Sequence, residues 1–270
     1  MGAPVLSFWL GLFAGATLGL AQSAPIQASC DLSEPERATV ASVEDGATLL
    51  LSDGRTVRLI GAHVASPPLG WRGDGPWPLV KEAKDALARL AAGKDVELKF
   101  DGRRSDRHGH LLAHVFVMQD GERIWLQQAL IADGWARVYS FPDNRACAAE
   151  LLATEVDARG KRRGVWGASV YRVRDATDVK GMDRLMDSYQ LVEGVVRAVG
   201  EGGGRLYLNF GDNWRGDFTV SIERKHMKHI EAFVTAAGID PSRLNGKRIR
   251  ARGWLQWRNG PEIRATHRAD

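Results

Sequence analysis

The sequence predicts a mainly β fold with helices, an α+β protein in which two small β-barrels follow one another. Three observations support this. Short apolar-rich runs typical of strands occur in residues 37–62, 96–100 and 111–117, and a second series of such runs begins near residue 190. The length of 270 residues leaves room for two domains. The apolar content of 44% is ordinary for a globular protein.

The first barrel opens with strands over residues 37–62, and Ser52-Asp53-Gly54 predicts the hairpin turn between two of them. Residues 66–78 are rich in Pro, Gly and Trp, and we expect a long loop over the site discussed below. A helix follows and ends at Gly93. Its apolar face consists of Leu79, Ala83, Ala86, Leu87 and Leu90.

Two strands are predicted next, near residues 96–100 and 111–117, and a helix is predicted across residues 124–133. A last helix follows the turn at Pro142, with Asp143 or Asn144 as its N-cap. This order of elements predicts a five-stranded barrel with three helices.

The second half repeats the pattern after a connector at residues 169–189. Three strands, one helix and two strands are predicted between residues 190 and 270. The strands cover residues 191–199, 206–210, 218–222, 248–257 and 262–266, with turns at 202–204 and 259–261 and a helix at 225–237. This order is that of a second small barrel.

Six short motifs occur in a fixed order between residues 37 and 168. They are Asp45-Gly46-Ala47-Thr48, the strand at 57–63, Gly93-Lys94-Asp95-Val96, residues 106–113, residues 126–136 and Gly164-Val165-Trp166-Gly167. This order resembles the staphylococcal nuclease (thermonuclease) family. The resemblance implies an OB-fold core and calcium-dependent hydrolysis of phosphodiesters. Residues 190–270 are similar to the OB-type domain that follows such domains in some bacterial envelope proteins.

Carried over by position, the resemblance implies that the metal-binding groups are replaced. Asp45 matches the opening motif, but Ala47 stands where the family has a metal-binding Asp. His63 stands at the other metal-binding carboxylate, and Ser66 stands at the general base. Loss of a general base alone typically lowers the rate by about 10²–10⁴-fold.

The phosphate-binding groups are partly retained. Arg58 stands at the first catalytic arginine, whereas His110 replaces the second. Asp106 matches its motif, and His108 replaces the tyrosine within it. Arg58, His63 and His110 are therefore the candidate catalytic residues of a degenerate site.

Calcium prefers six to eight oxygen ligands, so we expect neither calcium nor another cofactor. Asp45, His63 and His108 are weak candidate metal ligands. One alternative is that His63, His108 and His110 converge and bind zinc, which imidazole suits, or provide a base near pH 7. The other is that these histidines occupy unused, partly exposed positions. His114 is predicted to be a surface residue.

The basic excess lies in the C-terminal part. Residues 1–189 carry 23 basic and 24 acidic residues, whereas residues 190–270 carry 14 and 9, a net charge of +5. This asymmetry indicates an anionic partner. A basic groove with stacking aromatics could bind single-stranded nucleic acid. The candidate residues are Arg248, Arg250, Arg252, Trp254 and Tyr207. An ordinary solvated face is the alternative.

The N-terminus predicts export. An apolar run from residue 5 to residue 21 precedes Ala21-Gln22-Ser23-Ala24, a small-x-small cleavage site, so residues 1–24 form a predicted signal peptide. A retained membrane anchor is the alternative. Cys30, just before the domain at residues 31–168, and Cys147 within it are expected to form a disulfide in a periplasmic or secreted protein. The alternatives are two free thiols and lipidation of Cys30.

Three functions remain open. The first is a catalytically impaired nuclease-like protein that binds nucleic acid or another polyanion. The second is an active phosphodiesterase with a rewired histidine site. The third is an envelope scaffold that binds a protein partner, for which the tryptophans Trp71 and Trp77 would provide contacts. The sequence leaves the oligomeric state open.

Overall fold

The computed structural model describes residues 30–228 and 243–266. The predicted signal peptide at residues 1–24 lies outside them. None of the helices in the described parts combines the length and apolar composition that crossing a membrane requires.

The first domain contains eight strands and three helices. In chain order they are β1 (Glu36–Asp45), β2 (Thr48–Leu51), β3 (Thr56–Leu59), β4 (Gly61–Val64), α1 (Val80–Ala91), β5 (Asp95–Lys99), β6 (Leu111–Gln119), β7 (Glu122–Trp125), α2 (Leu126–Ala132), β8 (Ala136–Tyr139) and α3 (Ala148–Gly160).

Five of these strands close a barrel. β1, β2 and β3 form an antiparallel meander, β3 pairs in parallel with β6, and β5 joins β6 back to β1. The five-stranded barrel with three helices is thus confirmed. Within β3, Val57 and Leu59 are buried and Arg58 is exposed, because successive strand residues point to opposite faces.

Gly61 makes the chain leave the barrel after β3. Its φ is +82°, and a Cβ atom there would lie 2.6 Å from Cδ1 of Leu151 on α3. Glycine adopts this backbone conformation without the steric cost that other residues incur. β4 can therefore turn away and pair antiparallel with β8, which sets His63 opposite Arg137.

Three local predictions need correction. The helix predicted from residue 124 begins at Leu126, because Ile124 and Trp125 pair with β6. The last helix begins at Ala148, since the Asn144 amide instead donates to Asp101 and to the Arg103 carbonyl. His114 is 2% exposed, as β6 is buried on both faces.

The loop at residues 66–78 also differs from its prediction. Instead of covering the cavity beside Arg58, it contacts the connector. The Leu69 amide donates to the Asp187 carbonyl, and Tyr171 donates to the Pro78 carbonyl.

Short elements lie before and within the connector. They are 3₁₀ turns at Gly164–Trp166, Ser169–Tyr171 and Asp183–Leu185, together with β9 (Arg174–Asp175) and α4 (Val179–Met182). Val165 and Tyr171 of the first two turns are buried in a small cluster with Ala65, whereas the last elements pack on the second core. Met182 and Leu185 are buried in that core.

The second domain is one seven-stranded sheet that includes β9. Its other strands are β10 (Ser188–Val195), β11 (Ala198–Gly202), β12 (Arg205–Asn209), β13 (Thr219–Glu223), β14 (Arg248–Trp257) and β15 (Pro261–Ala265). The order is β11-β12-β13-β15-β14-β10-β9, with β13 and β15 parallel. The parallel pair corresponds to β3 and β6 of the first barrel, so the predicted OB-like connectivity is confirmed. The described strands of this domain form a half-barrel sheet, and no pairing among them closes it into a second barrel.

The strand predicted at residues 191–199 is divided into β10 and β11. The chain changes partners between them, because the Val196 amide bonds to Lys247 and the Arg197 amide bonds to Asn209. Of the helix predicted at residues 225–237, helical residues are seen through 228, and the remainder lies outside the described residues.

Candidate functional site

A cavity of about 420 Å³ lies where β3, β4, the loop before β6 and the end of β8 meet. One residue of the second domain also lines it. The lining side chains used below are Arg58, His63, Arg103, Asp106, Arg107, His108, Tyr139, Phe141, Asp143 and Trp254.

Arg58 brings an available positive charge to this cavity. It is exposed on β3. Within residues 30–228 and 243–266, no hydrogen bond or ion pair holds its side chain. A guanidinium group presents five donors that suit a phosphate or carboxylate, so Arg58 can bind an anion without first breaking an internal contact.

His63 is enclosed by aromatic rings. Its ring centroid lies 4.7 Å from that of Tyr189 and 5.9 Å from that of Tyr139, and Ser66 Oγ lies 3.2 Å from His63 Nε2. Burial, together with the positive charges of Arg137 and Arg58, lowers the pKa of His63 from 6.5 to about 3. The imidazole is therefore neutral at pH 7.

Of the three histidines that one alternative predicted to converge, two line the same cavity. His63 and His108 line the cavity, whereas His110 does not. His110 Nδ1 lies 3.0 Å from Asp106 Oδ2. Asp106 Oδ1 also accepts hydrogen bonds from the backbone amides of His108 and His110, so this carboxylate organises the loop.

The residues at the family's metal positions do not fit calcium. Ala47 is buried at 6% exposure and offers no ligand atom. Asp45 Oδ1 accepts a hydrogen bond from the Ala47 amide and shapes the turn. Of the carboxylates that line the cavity, Asp143 pairs with Arg103 at 3.3 Å. Calcium would thus lack the free carboxylates that it requires.

The candidate metal ligands Asp45, His63 and His108 do not form a compact group. In the described residues, the one group of three potential ligand atoms within 4.8 Å contains Cys30, Cys147 and Glu150. Its two sulfur atoms form a disulfide, with the Cα atoms 5.1 Å apart. The predicted disulfide is confirmed.

The arginines predicted to form a nucleic-acid groove lie on one face of β14, but they are paired. Arg248 and Arg250 both bind Glu193 on the neighbouring strand. The side chain of Arg252 is 4% exposed and donates to Glu155 of α3 at 2.8 Å. Placing Arg252 in an exposed groove was therefore wrong, because this end of the face packs against the first domain.

The two predicted aromatic residues lie in different cavities. Tyr207 lines a cavity of about 490 Å³ on the second domain, beside Trp214 and Arg258. Trp254 lines the cavity of Arg58. Sequence reasoning missed Tyr139 and Phe141, although their alternation at the end of β8 was a visible signal. It also missed Glu155, for which the sequence offers no signal.

Comparison with known families agrees with this geometry. Residues 57–168 match the model of the family described as staphylococcal nuclease homologue. No curated protein matches the chain. The match covers β3, β4 and the loop with Asp106, and thus most of the cavity. Residues 57–168 of this chain are a staphylococcal nuclease-like domain.

Proposed function

We propose that this is an exported protein of the nuclease family with impaired hydrolysis, which binds a phosphate of nucleic acid or another polyanion at Arg58. The observation that carries the proposal is an arginine, unpaired within the described residues, in a cavity that His63 also lines. His63 and the buried Ala47 stand where the resemblance places the metal-binding carboxylates. Such a site keeps a phosphate contact and lacks the groups for cleavage.

The chemistry of the remaining residues supports weak hydrolysis. A general base works best when its pKa lies near the working pH, and a pKa of about 3 makes His63 a poor base at pH 7. Ser66, at the family's base position, is a hydroxyl that would itself need activation. The rewired histidine enzyme is therefore the less favoured function.

Export is supported by the Cys30–Cys147 disulfide, because such bonds persist mainly in oxidising compartments. The alternative of a protein-binding scaffold is favoured by exposed apolar side chains in the loop at residues 66–78. Leu69 is 69% exposed and Trp71 is 45% exposed.

Fluorescence anisotropy with a labelled single-stranded DNA tests the phosphate contact. Binding at low salt should weaken as salt rises, because phosphate contacts release counterions. Arg58→Gln should lower the affinity several-fold. The control is Arg55→Gln, since Arg55 lies on the same hairpin but is already paired with Asp53 and Glu36. Equal affinities of wild type and Arg58→Gln would contradict the proposal.

Hydrolysis is measured on the same DNA with calcium, with zinc and with a chelator. We expect little product under all three conditions. Fast calcium-dependent cleavage that Arg58→Gln abolishes would show an active nuclease instead.

A further inference from the structure

The second domain provides part of the wall of the Arg58 cavity. Trp254 lies on β14, outside the residues that match the nuclease family, and it lines the same cavity as Arg58. Its Nε1 donates a hydrogen bond to the Tyr139 hydroxyl at 3.2 Å. Its ring meets that of His63 edge-on, with centroids 5.8 Å apart. The indole is thus held by two residues of the first domain.

Buried contacts between the domains fix the strand that bears Trp254. Two residues before it, Arg252 donates to Glu155 and to the Val138 carbonyl. On the adjacent strand, Tyr189 donates to the same carbonyl at 2.8 Å, and Arg137 donates back to the Tyr189 carbonyl. An aromatic ring that is already ordered loses little conformational entropy when a ligand stacks on it.

The cavity has two chemically different parts. Arg58, Arg103 and Arg107 provide positive charge, partly offset by Asp106 and Asp143. The aromatic side chains are those of Tyr139, Phe141 and Trp254. Tyr139 and Phe141 also contact each other, with centroids 4.6 Å apart. A ligand that fits both parts carries a phosphate next to a flat ring.

We propose that Trp254 is a specificity-determining residue that stacks on the base of a nucleotide whose phosphate binds Arg58. The second domain then completes a nucleotide site that the first domain begins. The phosphate contact rests on the proposed function, whereas the recognition of the base by Trp254 is additional to it. Stacking accepts any base, so the site distinguishes nucleotides from sugar phosphates and not one base from another.

Isothermal titration calorimetry of the full chain with two small ligands separates the two contacts. Thymidine 5′-monophosphate carries phosphate and base, and 2-deoxyribose 5-phosphate lacks the base. Trp254→Ala should weaken binding of the nucleotide by about 5- to 150-fold, the effect of losing one stacked base, and leave binding of the sugar phosphate unchanged. Arg58→Gln should weaken binding of both.

Trp257→Ala is the matched control. Trp257 lies on the same strand, is 59% exposed and does not line this cavity, so both affinities should remain at the wild-type level. Trp254→Phe keeps an aromatic face and should retain most of the affinity for the nucleotide. It also guards against loss of folding in the alanine variant, whose thermal unfolding is recorded in parallel.

Each outcome decides a different proposal. Unchanged nucleotide affinity in folded Trp254→Ala, or equal losses for both ligands, would overturn the stacking role and leave the role of Arg58 intact. A wild-type protein that binds neither small ligand would overturn the nucleotide site. Binding of single-stranded DNA that depends on Arg58 would still support the proposed function in that case.

Discussion

At the scale of single residues, His63 shows how the surroundings decide the chemistry of a substitution. The sequence suggested an imidazole near its ordinary pKa, able to act as a base or to bind a metal. The structure encloses the ring among Tyr139, Tyr189 and Trp254 and places two arginines nearby. Burial and positive neighbours both disfavour the charged form. At this position the protein has a neutral aromatic ring where the family has a carboxylate.

The histidine pKa predicts a specific pH dependence. The ring signals of His63 in NMR spectra should stay unchanged from pH 8 to pH 5, because its folded pKa is about 3. In urea the same ring should titrate near its ordinary value of about 6.5. Between these two values the unfolded state binds more protons, so the contribution of His63 to stability is complete above pH 6.5 and is lost as the pH falls toward 3.

The slope of that loss is about 1.4 kcal/mol per pH unit for one histidine. His63→Phe should therefore show a shallower fall in the free energy of unfolding between pH 6 and pH 4 than wild type. Parallel curves for the two proteins, or a His63 signal that titrates near pH 6.5 in the folded state, would contradict a neutral His63 ring with a lowered pKa.

At the scale of elements, β14 carries two different roles on one face. Strand alternation correctly predicted that Arg248, Arg250 and Arg252 share a face. It could not show that the face meets Glu193 at one end and the first domain at the other. Charge on a strand face is a local property, but the partner of that charge comes from another element.

The buried pair of Arg252 and Glu155 should be strongly coupled. Arg252→Met should lower the free energy of unfolding by about 3–5 kcal/mol, because it leaves a carboxylate buried without its partner. Urea unfolding measures this loss. Arg248→Met is the control on the same face. Arg248 is 68% exposed in its pair with Glu193, and exposed pairs contribute about 0–1 kcal/mol.

A double-mutant cycle tests the coupling directly. In Glu155→Gln the amide oxygen can still accept the hydrogen bond that Val138 donates to Glu155. Arg252→Met combined with Glu155→Gln should therefore cost less than the sum of the two single changes. Additive losses would mean that the two side chains are not coupled in solution.

At the scale of the whole molecule, covalent and buried polar contacts join distant parts of the chain. The disulfide connects Cys30 to Cys147 at the N-cap of α3. The same helix provides Glu155, which binds Arg252 of the second domain. α3 thus links the first described residues, the first barrel and the second domain.

The disulfide should make a large contribution to stability. It closes a loop of 117 residues, which corresponds to about 4–5 kcal/mol in the chain-entropy model. Intact-mass analysis after alkylation should find no free thiol in protein from its native compartment, and the reductant should expose two. A double Cys30→Ser and Cys147→Ser variant should unfold at a lower urea concentration. Unfolding curves that reductant does not shift would contradict a large contribution of the disulfide to stability.

The sequence by itself determined the order of strands and helices and predicted the disulfide between the two cysteines, and its resemblance to the nuclease family implied a retained Arg58 and replaced residues at 47, 63 and 66. These rest on local periodicity and on motifs whose residues are close along the chain. Only the tertiary structure decided that Trp254 reaches the Arg58 cavity and that Arg252 is buried against Glu155. Their partners lie on distant segments, and a strand pattern specifies which side chains share a face but not which surface covers it.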